Sequence, residues 1–255
     1  MCQNRDIAFE QDNIPNPPHQ INDYARRFMV VIGINCYQGG NNNVQHLHIP
    51  VPDACRIFRI LKDRYGFQGQ LLAKREDVIA FEQGNDAPDN ESLEPYIEGN
   101  GTRGDILQIL WNLAQLARPE DLFLFYFGGH GITERGMGFL LPYGAKIRHY
   151  ETYLMYPELF GAFEALPCLH KLLFFDSCFS GVVTRDVNLI QPLSNDPNAN
   201  HITEICEHTS SAEPAMATFA STDAFNVAPD QYHCWTESGG LVSRHSPFAD
   251  ALAEF

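Results

Sequence analysis

The sequence predicts an α/β fold in which helices flank a central, mostly parallel sheet. Three observations lead there. Phe28–Ile34, Leu122–Phe127 and Leu172–Phe175 are nearly continuous apolar runs rich in β-branched and aromatic residues, the pattern of strands covered on both faces. Segments with apolar residues at helical spacing lie between these runs. Glycines and prolines punctuate the changes of period, and strands that alternate with helices join in parallel through crossovers.

Each element has its own warrant. Residues 1–26 are polar and carry Pro15, Pro17 and Pro18, so they read as an irregular arm. The run Phe28–Ile34 is the first strand, and the Gly/Asn-rich stretch 36–43 a loop. Ile57, Phe58, Ile60 and Leu61 mark a helix beginning near Asp53, a cap or first-turn acid after Pro52, and Gly66 ends it. Residues 70–73 form a short strand. Residues 76–101 are acidic, Asn/Gly/Pro-rich and without Lys or Arg, which predicts a solvated surface insertion. Thr102 caps a helix carrying Ile106, Ile109, Leu110 and Leu113, and Pro119 terminates it. After the strand Leu122–Phe127 comes Gly128-Gly129-His130-Gly131, then a helix over 153–166. The strand Leu172–Phe175 runs into Asp176-Ser177-Cys178. Residues 182–213 read as a polar linker, 216–220 as a short strand, and 223–240 as loop. Ser246-Pro247-Phe248 opens a helix in which the sequence ends.

Composition limits the function. The 255 residues include 44% apolar ones, enough for a substantial core. Thirty-two acidic side chains against 17 basic ones give a net charge of −15. Nucleic acid and anionic membrane surfaces are therefore not expected partners, whereas basic peptides and proteins are attracted. No apolar run approaches the roughly 20 residues of a membrane helix, and the N-terminus shows no secretory h-region. Seven scattered cysteines without a CxxC pair suggest free thiols in a reducing compartment, the cytoplasm.

Two apolar strands each end in a small-residue turn that bears a reactive side chain, His130 in one and Cys178 in the other. In parallel α/β sheets, sites form at the carboxyl ends of the strands. A thiol becomes nucleophilic when a base or cation supplies the thiolate, and histidine is the usual partner. A lone buried cysteine is more often inert packing, so the weight rests on the paired strand-then-turn context. The N–H groups of Gly131 and Cys178 could hold an oxyanion, worth about 3 kcal/mol per donor. His46-Leu-His48 lacks a further ligand at zinc spacing, Gly33 with Gly39-Gly40 fits a dinucleotide fingerprint poorly, and Ser177 and Ser180 are not in a G-x-S-x-G elbow.

Phe125-Tyr-Phe-Gly-Gly-His-Gly131 and Phe174-Phe-Asp-Ser-Cys-Phe-Ser-Gly181 resemble the two catalytic blocks of caspase-like cysteine peptidases, with the metacaspase and bacterial orthocaspase branch most similar. Val31–Ile34, Val51-Pro-Asp-Ala54, Ala217–Thr222 and His245–Leu252 extend the resemblance to the C-terminus. It implies a caspase-like three-layer sandwich over 27–255: a large-subunit-like part 27–181, a linker 182–213 and a small-subunit-like part 214–255. It implies an endopeptidase in which His130 is the general base and acid and Cys178 the nucleophile. Gly131 and Cys178 amides would hold the oxyanion, and Asp53 and Asp176 would bind a basic P1 side chain, so cleavage would follow Arg or Lys. Gly128 stands where many metacaspases have Ser, and Pro52 where they have Asn. The family's calcium motif is not evident: residues 132–150 hold only Glu134 as an acid, and Asp186 lies one position beyond the expected spacing. No metal or other cofactor is therefore expected. Relatives act in regulated stress, cell-death or antiphage proteolysis, which would bring an upstream activating protease or regulator. The rival reading is a catalytically silent scaffold.

Arg185 is the only Lys or Arg between Cys178 and Arg244, and it opens the polar linker. Exposed linkers are favoured sites of proteolysis. The sequence thus predicts activating cleavage after Arg185. Intact-mass spectrometry of wild type beside Cys178→Ala should find the cut in active wild type; an active enzyme with an uncut linker would reject it.

Overall fold

The computed structural model describes residues 24–37, 46–84, 91–135, 137–146, 148–177, 214–221, 233–236, 239–242, 246 and 249. The apolar runs form strands. β1 (Arg27–Gly33), β2 (Gln68–Leu72), β3 (Leu122–Gly129), β7 (His170–Ser177) and β8 (Ala215–Ala220) make one five-stranded sheet in the order β2-β1-β3-β7-β8, with each neighbouring pair parallel. The chain moves from β1 outward to β2, then crosses to the other side of β1 for β3. That reversal places the sheet's topological switch between β1 and β3, where crevices form at strand carboxyl ends.

Helices cover both faces, completing three layers. α1 (Pro50–Tyr65) and α2 (Arg75–Glu82) pack Val51, Ala54, Phe58 and Val78 against Met29, Val31, Leu71 and Tyr126. On the opposite face, α3 (Arg103–Leu116) and α4 (Tyr156–Glu164) pack Ile106, Leu110, Leu159 and Phe163 against Val30, Ile32, Phe125 and Phe175. Alternate residues of β1 thus serve opposite cores, as a pleated strand requires. The expected cap of α3 is present as a reciprocal box: Asp105 N–H donates to Thr102 Oγ1 and Thr102 N–H to the Asp105 carboxylate, at 3.1 and 3.0 Å.

The fold departs from the sequence reading in four places. The acidic stretch 76–101 is not wholly a surface insertion: it supplies most of α2, with Val78 buried, and a 3₁₀ turn at Glu94–Tyr96 preceded by buried Leu93. Glu82 fastens it, accepting from Arg59 Nη2 at 2.8 Å and from Leu93 N at 2.7 Å. Helix α1 starts at Pro50, before Asp53, and Ile49 offers it no side-chain cap. Asn35, in the loop after β1, substitutes by accepting from Val51 N–H at 2.9 Å. The helix expected over 153–166 begins only at Tyr156, because Leu154–Met155 form β6 of a small antiparallel sheet with β4 (Gly131–Glu134) and β5 (Met137–Leu140). The loop expected over 223–240 contains a hairpin of β9 (His233–Thr236) and β10 (Gly239–Val242). The linker 182–213 lies outside the described residues, as does most of the C-terminal helix.

Helix α1 can sit so low on the sheet because β1 ends in Gly33. A Cβ there would stand 2.5 Å from the Pro50 carbonyl oxygen and 2.8 Å from Ala54 Cβ. Gly33→Ala should therefore lift the first turn of α1 and cost about 1–3 kcal/mol. Urea denaturation would measure this, and an unchanged midpoint would show that the helix has room to spare.

Candidate active site

The β3–β7 register determines which side chains meet. Gly128 lies opposite Asp176 and Gly129 opposite Ser177, while Gly33 of β1 lies on the other side of Gly128. Three strand ends therefore converge, with the α1 first turn above them. His130 follows β3 directly and is partly exposed. Its backbone N–H donates to the Tyr37 hydroxyl at 2.7 Å, and its ring lies 4.9 Å from the Tyr37 ring, centroid to centroid, at 42°. Tyr37 is itself buried, and a Cβ on Gly129 would press on its hydroxyl at 3.0 Å. Tyr37 thus anchors the peptide that presents the imidazole.

Cys178 lies outside the described residues, as do Arg185 and Asp186. The strand that leads to Cys178 is described as far as Ser177, which is buried. Gly131 opens β4 opposite Leu140. Leu141 N–H donates to His130 C=O at 2.9 Å, which makes Gly131 and Leu140 a non-hydrogen-bonded pair. The ladder therefore leaves the Gly131 N–H out of its bonding.

Asp53 and Asp176 come together, though they stand on different elements. Asp53 is in the first turn of α1 and 1% exposed; Asp176 is near the end of β7 and 9% exposed. They share Ser246. Its backbone N–H donates to Asp53 Oδ2 at 3.0 Å, and its hydroxyl bonds Asp176 Oδ2. The Tyr126 hydroxyl donates to the same Asp176 oxygen at 3.4 Å. Burial pushes Asp176 up to about 6; the Ser246 bond pulls the other way and the neighbouring Asp53 charge pushes it up again. Burial also raises Tyr126 well above the usual phenol range, so it remains a donor. Because folded Asp176 keeps a proton that the unfolded chain, at its ordinary 3.8, has released, its contribution to stability falls as pH rises from about 4 to 6.

Sequence reasoning singled out both acids but missed their partners. Tyr37, Tyr126 and Ser246 read as an ordinary loop tyrosine, a strand aromatic and a helix-opening serine, and only their contacts reveal more. Among the described residues no group of three His, Cys, Asp or Glu side chains could hold a metal ion. Nor is any described helix long and apolar enough to cross a membrane.

A parallel sheet of this order between two helical layers, with His and acid at its strand ends, defines a caspase-type domain. The Peptidase C14 caspase-domain family matches residues 26–255, and the chain belongs to that family. It is also 30% identical over 107 residues to Metacaspase-1 of Kluyveromyces lactis, a match that covers 42% of this chain and 20% of that protein.

Proposed function

We propose that the chain is a cysteine endopeptidase that cleaves after Arg or Lys, with His130 and Cys178 as its dyad. Membership of a family of cysteine peptidases supports the reaction class. The β3–β7 register supports the dyad: Gly129 and Ser177, which immediately precede His130 and Cys178 in the sequence, lie opposite each other on adjacent parallel strands. In the reaction His130 takes the Cys178 thiol proton as sulfur attacks the scissile carbonyl, and the Gly131 and Cys178 N–H groups receive the oxyanion. The C–N bond then breaks, His130 returns the proton to the leaving amine, and water attacks the thioester to release the acid and restore the thiol. The observation that carries the specificity is the meeting of Asp53 and Asp176 at Ser246, beside the strand end that leads to His130. Two carboxylates there match a guanidinium or ammonium and repel an acidic P1 side chain. The net charge of −15 draws in basic proteins. We assign the enzyme to the cytoplasm and to a regulated proteolytic pathway under an upstream activator, with no cofactor needed for the chemistry.

Peptides that differ only at P1 should be cleaved after Arg and Lys and left intact after Asp, and Cys178→Ala should lower turnover by more than about a thousandfold. Cleavage after Asp would reject the specificity. A silent scaffold would cleave none of them, and an Arg-chloromethylketone would leave Cys178 unlabelled.

The acid pair also gives a pH signature. As pH rises through about 6, Asp176 in the free enzyme loses its proton and adds a negative charge beside Asp53. Comparing P1 Arg with P1 citrulline, a neutral isostere, cancels the ionisation of His130. The kcat/KM ratio of the two should rise about tenfold as pH increases through 6, since hydrogen bonds between charged groups are worth more than those to neutral ones. A flat ratio would remove Asp176 from recognition of the cation.

A further inference from the structure

The acids that would read the P1 side chain do not hold themselves in place. Ser246 is 5% exposed and makes three contacts at once. Its N–H donates to Asp53 Oδ2 at 3.0 Å, its hydroxyl bonds Asp176 Oδ2, and its hydroxyl oxygen accepts from Ala249 N–H at 3.0 Å. The last is the bond of a helix N-cap to the residue three further on. A serine hydroxyl carries one hydrogen, so toward an ionised Asp176 it must be the donor. Ala249 is fully buried in the core cluster that contains Val51, Ala54 and Tyr126. Ser246 stands 193 residues from Asp53 and 70 from Asp176, so its contacts form only when the C-terminal segment is seated on the α1 face.

We propose that Ser246 is the positioning residue of the acid pair: it aims both carboxylates for a basic side chain and makes their alignment depend on docking of the C-terminal segment. This rests on the reading of Asp53 and Asp176 as the P1-binding acids. The two donors are arranged so that loss of one is separable from loss of the other. Removing the hydroxyl leaves the backbone N–H on Asp53 and the Tyr126 hydroxyl on Asp176, but it takes from Asp176 the serine donor that aims it and favours the carboxylate. Specificity for the cation then falls while the thiol chemistry of the proposed dyad is retained.

Ser246→Gly isolates that role, because glycine is among the tolerated N-cap residues and costs the helix little. At pH near 7.5, KM for an Arg substrate should rise about tenfold and the Arg-to-citrulline ratio should fall equally. The midpoint of the ratio's pH profile should move upward, and kcat for the citrulline peptide and the iodoacetamide alkylation rate of Cys178 should stay near wild type. Ser246→Thr, which keeps the hydroxyl, should recover most of the ratio. A Gly variant with the wild-type ratio and midpoint overturns the proposal. So does one with a lower KM, since Ser246 would then be occupying the place of the cation. If the Gly variant does not melt cooperatively, the Thr variant decides: a folded protein that keeps the ratio supports the role, and a folded one that loses it rejects it. Wild type with no preference for Arg over citrulline would sink the acid-pair reading itself, whereas wild type with the preference beside an unaffected Gly variant sinks only Ser246.

Discussion

Two carboxylates buried side by side set the terms for this end of the molecule. Taking one charged group out of water is costly, and placing a second like charge beside it adds repulsion. Such a pair persists only if donors surround it or protons neutralise it, and both occur here. Ser246 donates to each acid, Tyr126 donates to Asp176, and Asp176 itself is pushed up to about 6. In the proposed reading a guanidinium would supply several N–H donors and the missing positive charge together, so that binding would relieve the repulsion that folding leaves in place. The surrounding backbone follows from that need. The close approach of α1 to Gly33 brings Asp53 to the strand ends, and Asn35 accepts from Val51 N–H at the open end of that helix.

The same strand ends serve the proposed dyad by a different means. Parallel pairing keeps β3 and β7 in step to their last residues, Gly129 opposite Ser177. His130 therefore stands at the strand end beside Ser177, the last described residue of β7. Tyr37 adds the one restraint that the ladder cannot supply. By accepting the His130 N–H it fixes the first peptide after the strand, and glycine at 129 leaves space for that phenol. The imidazole is thus carried at the very end of a sheet strand, and β4 begins at the next residue with its first N–H outside the β4–β5 ladder.

What could be read from the sequence and what could not divides along physical lines. β1, β3 and β7 were legible because strands buried on both faces must be apolar at every position, and few other structures demand that. α3 was legible because its cap and its apolar period agree. α2 was hidden: eight residues give two turns, and Glu76, Asp77 and Glu82 swamp the apolar signal of Val78. β4, β5 and β6 run to four, four and two residues, too short for any alternation to emerge. Asp53 and Asp176 were marked by a family resemblance and not by their own spacing. Ser246, Tyr126 and Tyr37 were invisible as site residues because their partners lie between 50 and 193 positions away. No local pattern encodes a contact made by the folded sheet.

Gly128 illustrates how a site can keep a chemical feature while changing the residue that provides it. The metacaspase pattern places a serine hydroxyl two residues before the histidine, and this chain has none. Tyr126 lies two residues before Gly128, on the same face of the strand. Its phenol extends along the strand until a Cβ at 128 would meet its oxygen at 3.2 Å and its ring at 3.3 Å. The hydroxyl thus arrives from beneath and reaches Asp176, the residue directly across from Gly128. A Cβ at 128 would press on that phenol by a few tenths of an ångström, so glycine at 128 gives the Tyr126 ring its room. Asp176 thus has a phenol donor on a ring that is itself fully buried in the core, and the packing of that ring holds the hydroxyl at the site.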